Sequence, residues 1–270
     1  MNVIDPRLAP DLTGDLAAGS TDATEPATVV AGTFHGVGLG PGDPELLTVK
    51  AVRRIEAARV IAYFAKQGRR GNARTIVDGW IRPGTEEMPL YYPVTTEIPF
   101  ADGAYVDALA GFYATAAAAI AARLDRGDDV VLVCEGDPLF YGSFMHLYVR
   151  LKDRYRVSIC PGVTGMAGCW TAAGAPITWG DDVLTVLPGT MDEAALAEAL
   201  ARTDAAVIMK LGTNFPKVRR ALEACGLIDR AIYVERGTMA GEKVVRLADK
   251  ADDEAPYFSI ILVPGEGRRP

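Results

Sequence analysis

Gly36, Gly38, Gly40 and Gly42 alternate through a stretch that closes on Pro41-Gly42-Asp43-Pro44. A backbone this bare can approach a ligand closely, because glycine has no side chain to hold it off. The chemistry on offer is not phosphate binding. A P-loop sets Gly-Lys-Ser/Thr after its spacer residues, and here no lysine appears until Lys50. A dinucleotide fingerprint needs glycine at its first, third and sixth positions, but the sixth residue from Gly36 is Pro41 and from Gly38 is Asp43. Asp43 also brings negative charge to the helix start, where a phosphate would rest. Asp43 reads as an N-cap and Pro44 as the first helical residue, so a tight turn before a helix accounts for the same residues.

Such a loop must hang from rigid elements, and the chain supplies a series of them. Apolar, β-branched runs predict strands over 33–37, 60–64 and 130–134. Helices are expected over 44–58, 105–126 (stopped at Gly127) and 144–151; in the first, Leu47, Ala51, Ile55 and Ala58 share a face opposite Lys50, Arg53 and Arg54. Strands alternating with helices imply a parallel sheet. The second half has more strands per helix: strands over 157–160, 183–187, 206–209, 232–235 and 257–263, with helices only over 192–201 and 216–225. That pattern predicts a mixed sheet. The expected architecture is α/β in two domains, a mainly parallel N-terminal domain over 33–154 and an α+β domain over 155–265. Residues 1–32 carry Asp5, Asp11, Asp15, Asp22 and Glu25 against Arg7 alone and are expected to form a disordered tail; 266–270 is a short polar tail.

The net charge of −7 over 270 residues argues against a nucleic-acid partner. The longest apolar runs, such as 130–134 and 258–263, are too short to span a bilayer. No cationic leader precedes an apolar core, so a cytoplasmic protein with no membrane partner is expected. Cys134, Cys160, Cys169 and Cys225 are scattered, and His35 and His146 lie far apart, so no metal site is expected. Trp80, Trp170, Trp179 and Met239 read as packing residues that would also suit a pocket wall. Lys66-Gln67-Gly68-Arg69-Arg70-Gly71-Asn72-Ala73-Arg74 is basic within an acidic chain. It reads either as a solvated loop or as a glycine-hinged flap whose guanidinium forks would grip carboxylates.

Ligands of open α/β sheets bind beyond the carboxyl ends of the strands. Successive strands here run into GLGPGD, EGDPLFYGS, PGVTG, PGT, KLGT and ERGT. Any one of these is a turn; the set describes several bare bends able to line one cleft. The segments GVGLGPGDPELLT, EGDPLFYGS, PGVTG, LPGT, VIMKLGTN and YVERGT, in this order over about 33–263, resemble the signature blocks of the tetrapyrrole (uroporphyrin-III/corrin) methylase family. CEGDPLFYGSF, MKLGTNFPKV and YVERGTM resemble the branch that methylates C-20 of precorrin-2.

The resemblance implies a homodimer with its active site in the cleft between the two domains. S-adenosylmethionine is the implied cofactor and S-adenosylhomocysteine its product. The implied cofactor contacts are Pro41, Glu135, Gly136, Asp137, Phe140, Thr164, Gly165, Lys210, Leu211, Gly237 and Thr238. The tetrapyrrole would face Gly40, Gly42 and Asp43, with Arg69 and Arg70 on its carboxylates. Orientation and water exclusion would do most of the catalysis. The candidate proton acceptors are Asp43, Glu135 and Glu235, with Asp43 ranked first because its loop should face the ring; Tyr141 would orient one of them. The cobalt-bound form of the same substrate, or another ring carbon, is the alternative within the family. A non-catalytic tetrapyrrole or adenosyl-ligand binder is the alternative outside it, and the acids Asp43, Glu135 and Asp137 favour an enzyme.

Overall fold

The computed structural model describes residues 30–93 and 103–267. The tail expectations for 1–29 and 268–270 lie outside the described residues.

Five parallel strands form the first sheet in the order β3-β2-β4-β1-β5: β1 (Phe34–Gly38), β2 (Val60–Lys66), β3 (Glu86–Tyr92), β4 (Val130–Cys134) and β5 (Val157–Cys160). Side chains alternate across a strand, and both faces here are apolar. Phe34, Ala62, Val130 and Leu132 pack on α3 (Gly103–Leu124) and α4 (Phe144–Leu151). Val37, Ile61, Tyr63, Val131 and Val133 pack on α1 (Val49–Glu56) and α2 (Asn72–Ile76). The buried residues of α3, Tyr113, Ala116, Ala117, Ile120, Ala121 and Leu124, recur at helical spacing and make its sheet-facing stripe.

The second sheet runs β6-β7-β10-β8-β9: β6 (Leu184–Pro188), β7 (Ala205–Met209), β8 (Ile232–Glu235), β9 (Lys243–Arg246) and β10 (Ser259–Val263). β6 and β7 are parallel, and β10 is antiparallel to both β7 and β8. This is the expected mixed sheet. One face packs Ala206, Ile208, Tyr233 and Ile261 on α6 (Glu193–Ala201) and α7 (Phe215–Ala224). The other packs Val207, Val234, Ile260 and Leu262 on α5 (Gly165–Ala172).

Several expectations are corrected. The domain boundary placed near Arg154 comes too early: β5 follows it yet pairs with β1, so the crossing to the second sheet lies after Cys160. The helix expected over 44–58 divides in two, because two caps compete. Asp43 Oδ1 accepts the Glu45 N–H at 2.9 Å and starts a single 3-10 turn, Pro44–Leu46. Thr48 Oγ1 accepts the Ala51 N–H at 3.1 Å and starts α1 afresh. β3 is an addition to the expected strands; it carries Pro89, which speaks against a central strand but is tolerated at an edge. α5 is an addition too. It holds Gly165 and Gly168, poor helix formers, and is sustained by packing.

Candidate functional site

Because the first sheet is all parallel, the bends after β1, β4 and β5 leave the same edge. They are fused there. Gly40 and Gly136 exchange backbone hydrogen bonds, Gly136 N to Gly40 O at 2.7 Å and Gly40 N to Gly136 O at 3.3 Å. Asp137 accepts the Leu139 N–H on Oδ1 at 2.9 Å and the Gly162 N–H on Oδ2 at 3.1 Å, tying the second bend to the third. A Cβ on Gly38 would stand 2.5 Å from Gly162 N and 2.6 Å from Gly136 O, so only glycine lets the three backbones close up.

In the second sheet the strand directions place the carboxyl ends of β6, β7 and β8 on one edge as well. α5 brings that edge to the first lobe. A side chain at Gly168 would strike Pro41 and then Thr238, and a Cβ on Gly237 would stand 3.0 Å from Cys169. Met239 lies against Gly42. The Lys210 ammonium rests 4.6 Å from the centroid of the Tyr141 ring, and Gly189 N donates to Met209 O at 2.6 Å. All six bends therefore join one connected set between the sheets. Leu211 is fully buried beneath it, Phe140 packs edge-on against Tyr141, and Thr164 is the N-cap of α5.

Backbone strain concentrates in the same place. Among the described residues, the non-glycine residues with positive φ are Tyr141 (53°), Lys210 (59°), Arg236 (50°) and Thr238 (68°), all on these bends. Each such conformation costs about 1–3 kcal/mol, most for a β-branched residue such as Thr238. The Thr238 N–H donates to Glu242 Oε2 at 2.7 Å, while its buried Oγ1 has no hydrogen-bond partner among the described residues. No atom lies within 4 Å of a Cβ built on Gly165, and at Gly136 the neighbour is Gly165 N at 3.6 Å. An orphaned hydroxyl on the sixth bend and open space at Gly165 on the third fit a polar, largely backbone-held ligand such as an adenosyl group.

The acids divide by what already occupies them. Glu135 opens to solvent at the crease, yet protein surrounds most of its carboxyl; the lost solvation raises its pKa, opposed by backbone N–H groups that include Ala73 (3.1 Å to Oε1). Asp43 gives Oδ1 to its cap. The Tyr233 hydroxyl donates to Glu235 at 2.7 Å. Burial pushes the Cys169 thiol up to about 11, which makes it a packing group rather than a nucleophile.

The basic segment reads as a solvated loop or a flap, yet its second half is built into the fold. Gly71 is wedged against Phe64 O, and the chain after it is α2. Arg70 grips Asp78 through two hydrogen bonds, at 2.5 and 2.9 Å. Arg74 is buried and holds Glu87 at 2.6 and 2.7 Å and Asp78 at 2.9 Å. These bonds draw the Glu87 carboxyl below its usual range, with the Arg74 guanidinium the main cause. Arg70 is thus spent on the protein itself, whereas Arg69 is exposed. Gly162, Gly168 and Glu242 join the cleft without having been expected there as contacts. Gly168 carries no readable signal, because no helix is expected over its segment from the sequence.

The profile of the tetrapyrrole (corrin/porphyrin) methylases matches residues 33–250. A precorrin-2 C(20)-methyltransferase from Sinorhizobium sp is 60% identical over 90% of this chain and 99% of its own length. A cobalt-precorrin-2 C(20)-methyltransferase from Salmonella typhimurium is 30% identical, covering 86% of this chain and 96% of that protein. Among solved structures, the uroporphyrin-III C-methyl transferase of Thermus thermophilus complexed with S-adenyl homocysteine superposes with a TM-score of 0.61 at 23% identity, over 88% of this chain and 94% of that one.

Proposed function

This chain belongs to the tetrapyrrole (corrin/porphyrin) methylase family, and on that premise we propose that its joined bends carry out S-adenosylmethionine-dependent methylation of C-20 of precorrin-2, in cobalamin biosynthesis. The observation that carries the substrate is the 60% identity to the Sinorhizobium enzyme along nearly the whole of both chains. The cobalt-bound substrate is the second reading, favoured by more distant relatives such as the Salmonella typhimurium enzyme at 30%.

Bound S-adenosylmethionine would supply a methyl group already activated as a sulfonium. What the protein does is hold and orient. Pro41, Glu135, Gly136, Asp137, Phe140, Thr164, Gly165, Lys210, Leu211, Gly237 and Thr238 would surround the cofactor, with the Thr238 hydroxyl gaining the partner it lacks. Gly40, Gly42 and Asp43 would face the macrocycle. As the new carbon–carbon bond forms, the ring carbon's proton must leave. Asp43 suits its removal, because one carboxylate oxygen is held by the cap and the other accepts no hydrogen bond among the described residues. Tyr141, held left-handed at the rim, would close one side against water. Arg69 remains available to a substrate carboxylate; Arg70 reaches one only by leaving Asp78. Dimerisation and a cytoplasmic location belong to the same proposal; among the described residues no helix is long and apolar enough to cross a membrane.

The test is anaerobic incubation with precorrin-2 and methyl-labelled cofactor, with the label then located on the ring. Label at C-20 is expected; label elsewhere, or none, refutes the assignment. Light scattering that reports a monomer refutes the dimer.

A further inference from the structure

Two arginines suited to reading the substrate's carboxylates are taken by Asp78 and Glu87. Another cation stands in the cleft with no acid on it. Lys210 leaves the carboxyl end of β7, is exposed, and makes no ion pair among the described residues. Its ammonium lies over the ring of Tyr141, which belongs to the other lobe and is 44% exposed. Both residues sit in left-handed backbone conformations, at φ 59° and 53°. Two strained bends thus present a cation and an aromatic face to one another across the site.

The ring holds the ammonium without neutralising it. A cation–π contact at an exposed position is weaker than a charge-assisted hydrogen bond to a carboxylate. A carboxylate arriving in the cleft therefore takes the ammonium from the ring and frees an aromatic face. A reduced tetrapyrrole offers both partners, acetate and propionate carboxylates at its rim and a broad conjugated surface within.

We propose that the Lys210 side chain is a substrate-specificity residue: it rests on Tyr141 in the free protein and transfers to a peripheral carboxylate of the tetrapyrrole. This rests on the methylase reading above and deepens it. The assignment concerns the ammonium alone; the cofactor contact proposed above is that of the Lys210 main chain, which a change of side chain leaves in place. A mere latch between the lobes would behave differently, because loosening the lobes would weaken cofactor and macrocycle together.

The test compares wild type, Lys210→Met and Lys210→Arg. Calorimetry measures S-adenosylhomocysteine affinity, and steady-state kinetics measure the precorrin-2 KM at low and moderate salt. Lys210→Met is expected to raise the KM about tenfold, equivalent to about 1.4 kcal/mol, and to flatten its salt dependence. S-adenosylhomocysteine affinity should stay within about twofold, and Lys210→Arg should recover most of the KM. An unchanged KM in Lys210→Met, with wild type active, overturns this proposal alone. So does a parallel loss of S-adenosylhomocysteine affinity, which marks a latch. Wild-type protein that takes up no S-adenosylhomocysteine overturns the methylase reading and this proposal with it.

Discussion

Gly38→Ala tests whether the fused bends are the site or merely its neighbours. Gly38 ends β1, and backbone surrounds it: Gly162 N lies 2.5 Å, Gly136 O 2.6 Å and Gly162 Cα 2.7 Å from where a Cβ would stand. Backbone cannot swing aside as a flexible side chain does. Ordinary contact begins near 3.4 Å, so the second and third bends must retreat by about 0.7–0.9 Å. Overpacking of this kind costs about 1–3 kcal/mol, a fall in Tm of about 2–10 °C for a chain of this size. The larger effect should be functional. A misplacement near 1 Å in a site that works by orientation costs on the order of a hundredfold. Differential scanning calorimetry, S-adenosylhomocysteine titration and kcat/KM for precorrin-2 together check this. Gly111→Ala is the control, since nothing lies within 4 Å of its Cβ and alanine favours the helix interior; it should leave activity intact and raise Tm slightly. A Gly38→Ala protein with lowered Tm but wild-type kcat/KM would show that these bends carry stability and not the reaction.

Thr238→Gly should relieve a left-handed β-branched residue and raise stability by about 1 kcal/mol, while weakening S-adenosylhomocysteine binding through loss of the unpartnered hydroxyl; opposite movements of Tm and affinity check it. Arg74→Met should destabilise by about 1–2 kcal/mol, because the partly exposed Glu87 loses its guanidinium fork while Arg70 keeps Asp78, and Arg74→Lys should recover only part, lacking the fork; denaturant unfolding measures both. Glu135 binds its proton more tightly when folded than when unfolded, so its contribution falls as pH rises from its unfolded pKa, about 4.3, through its raised folded value. Urea midpoints of Glu135→Gln minus wild type should therefore climb as pH rises from about 4 and then level off; a flat difference refutes the shift.

The strands and bends are legible in the sequence because their signals are local. Val130–Cys134 is apolar on both faces, and the two faces meet α3 and α4 on one side and α1 and α2 on the other. The ends of Phe144–Leu151 and Ile232–Glu235 likewise follow from local pattern. The features that stay hidden depend on partners distant in sequence. Arg74 looks like one more surface cation until Glu87 is brought beside it by the pairing of β2 with β3. Gly168 lies where no helix is expected, and its role shows only when Pro41 is seen against it. The left-handed twist of Lys210 has no signature in its residue type, because lysine has no preference for that conformation.

The acids in the bends favour an enzyme on sequence grounds, and the structure changes the weight of each. Asp137 gives both oxygens to backbone N–H groups, so a protein that only bound the ligand would need it equally. Glu135 braces the first turn of α2 through Ala73. Asp43 pairs a framework role on one oxygen with a second oxygen that accepts no hydrogen bond among the described residues, and unlike Glu135 it stands on the loop proposed to face the macrocycle. Substitution separates the two roles. Asn in place of Asp43 keeps an acceptor for the Glu45 N–H, so the cap survives while the basic group is lost. Asp43→Asn should leave Tm and S-adenosylhomocysteine affinity near wild type and lower kcat about a hundredfold or more. Asp137→Asn must turn an NH2 toward one of two N–H donors, so Tm and affinity should fall together. Full turnover by Asp43→Asn would move the proton transfer to another group and remove the feature that distinguishes this cleft from a passive binding site.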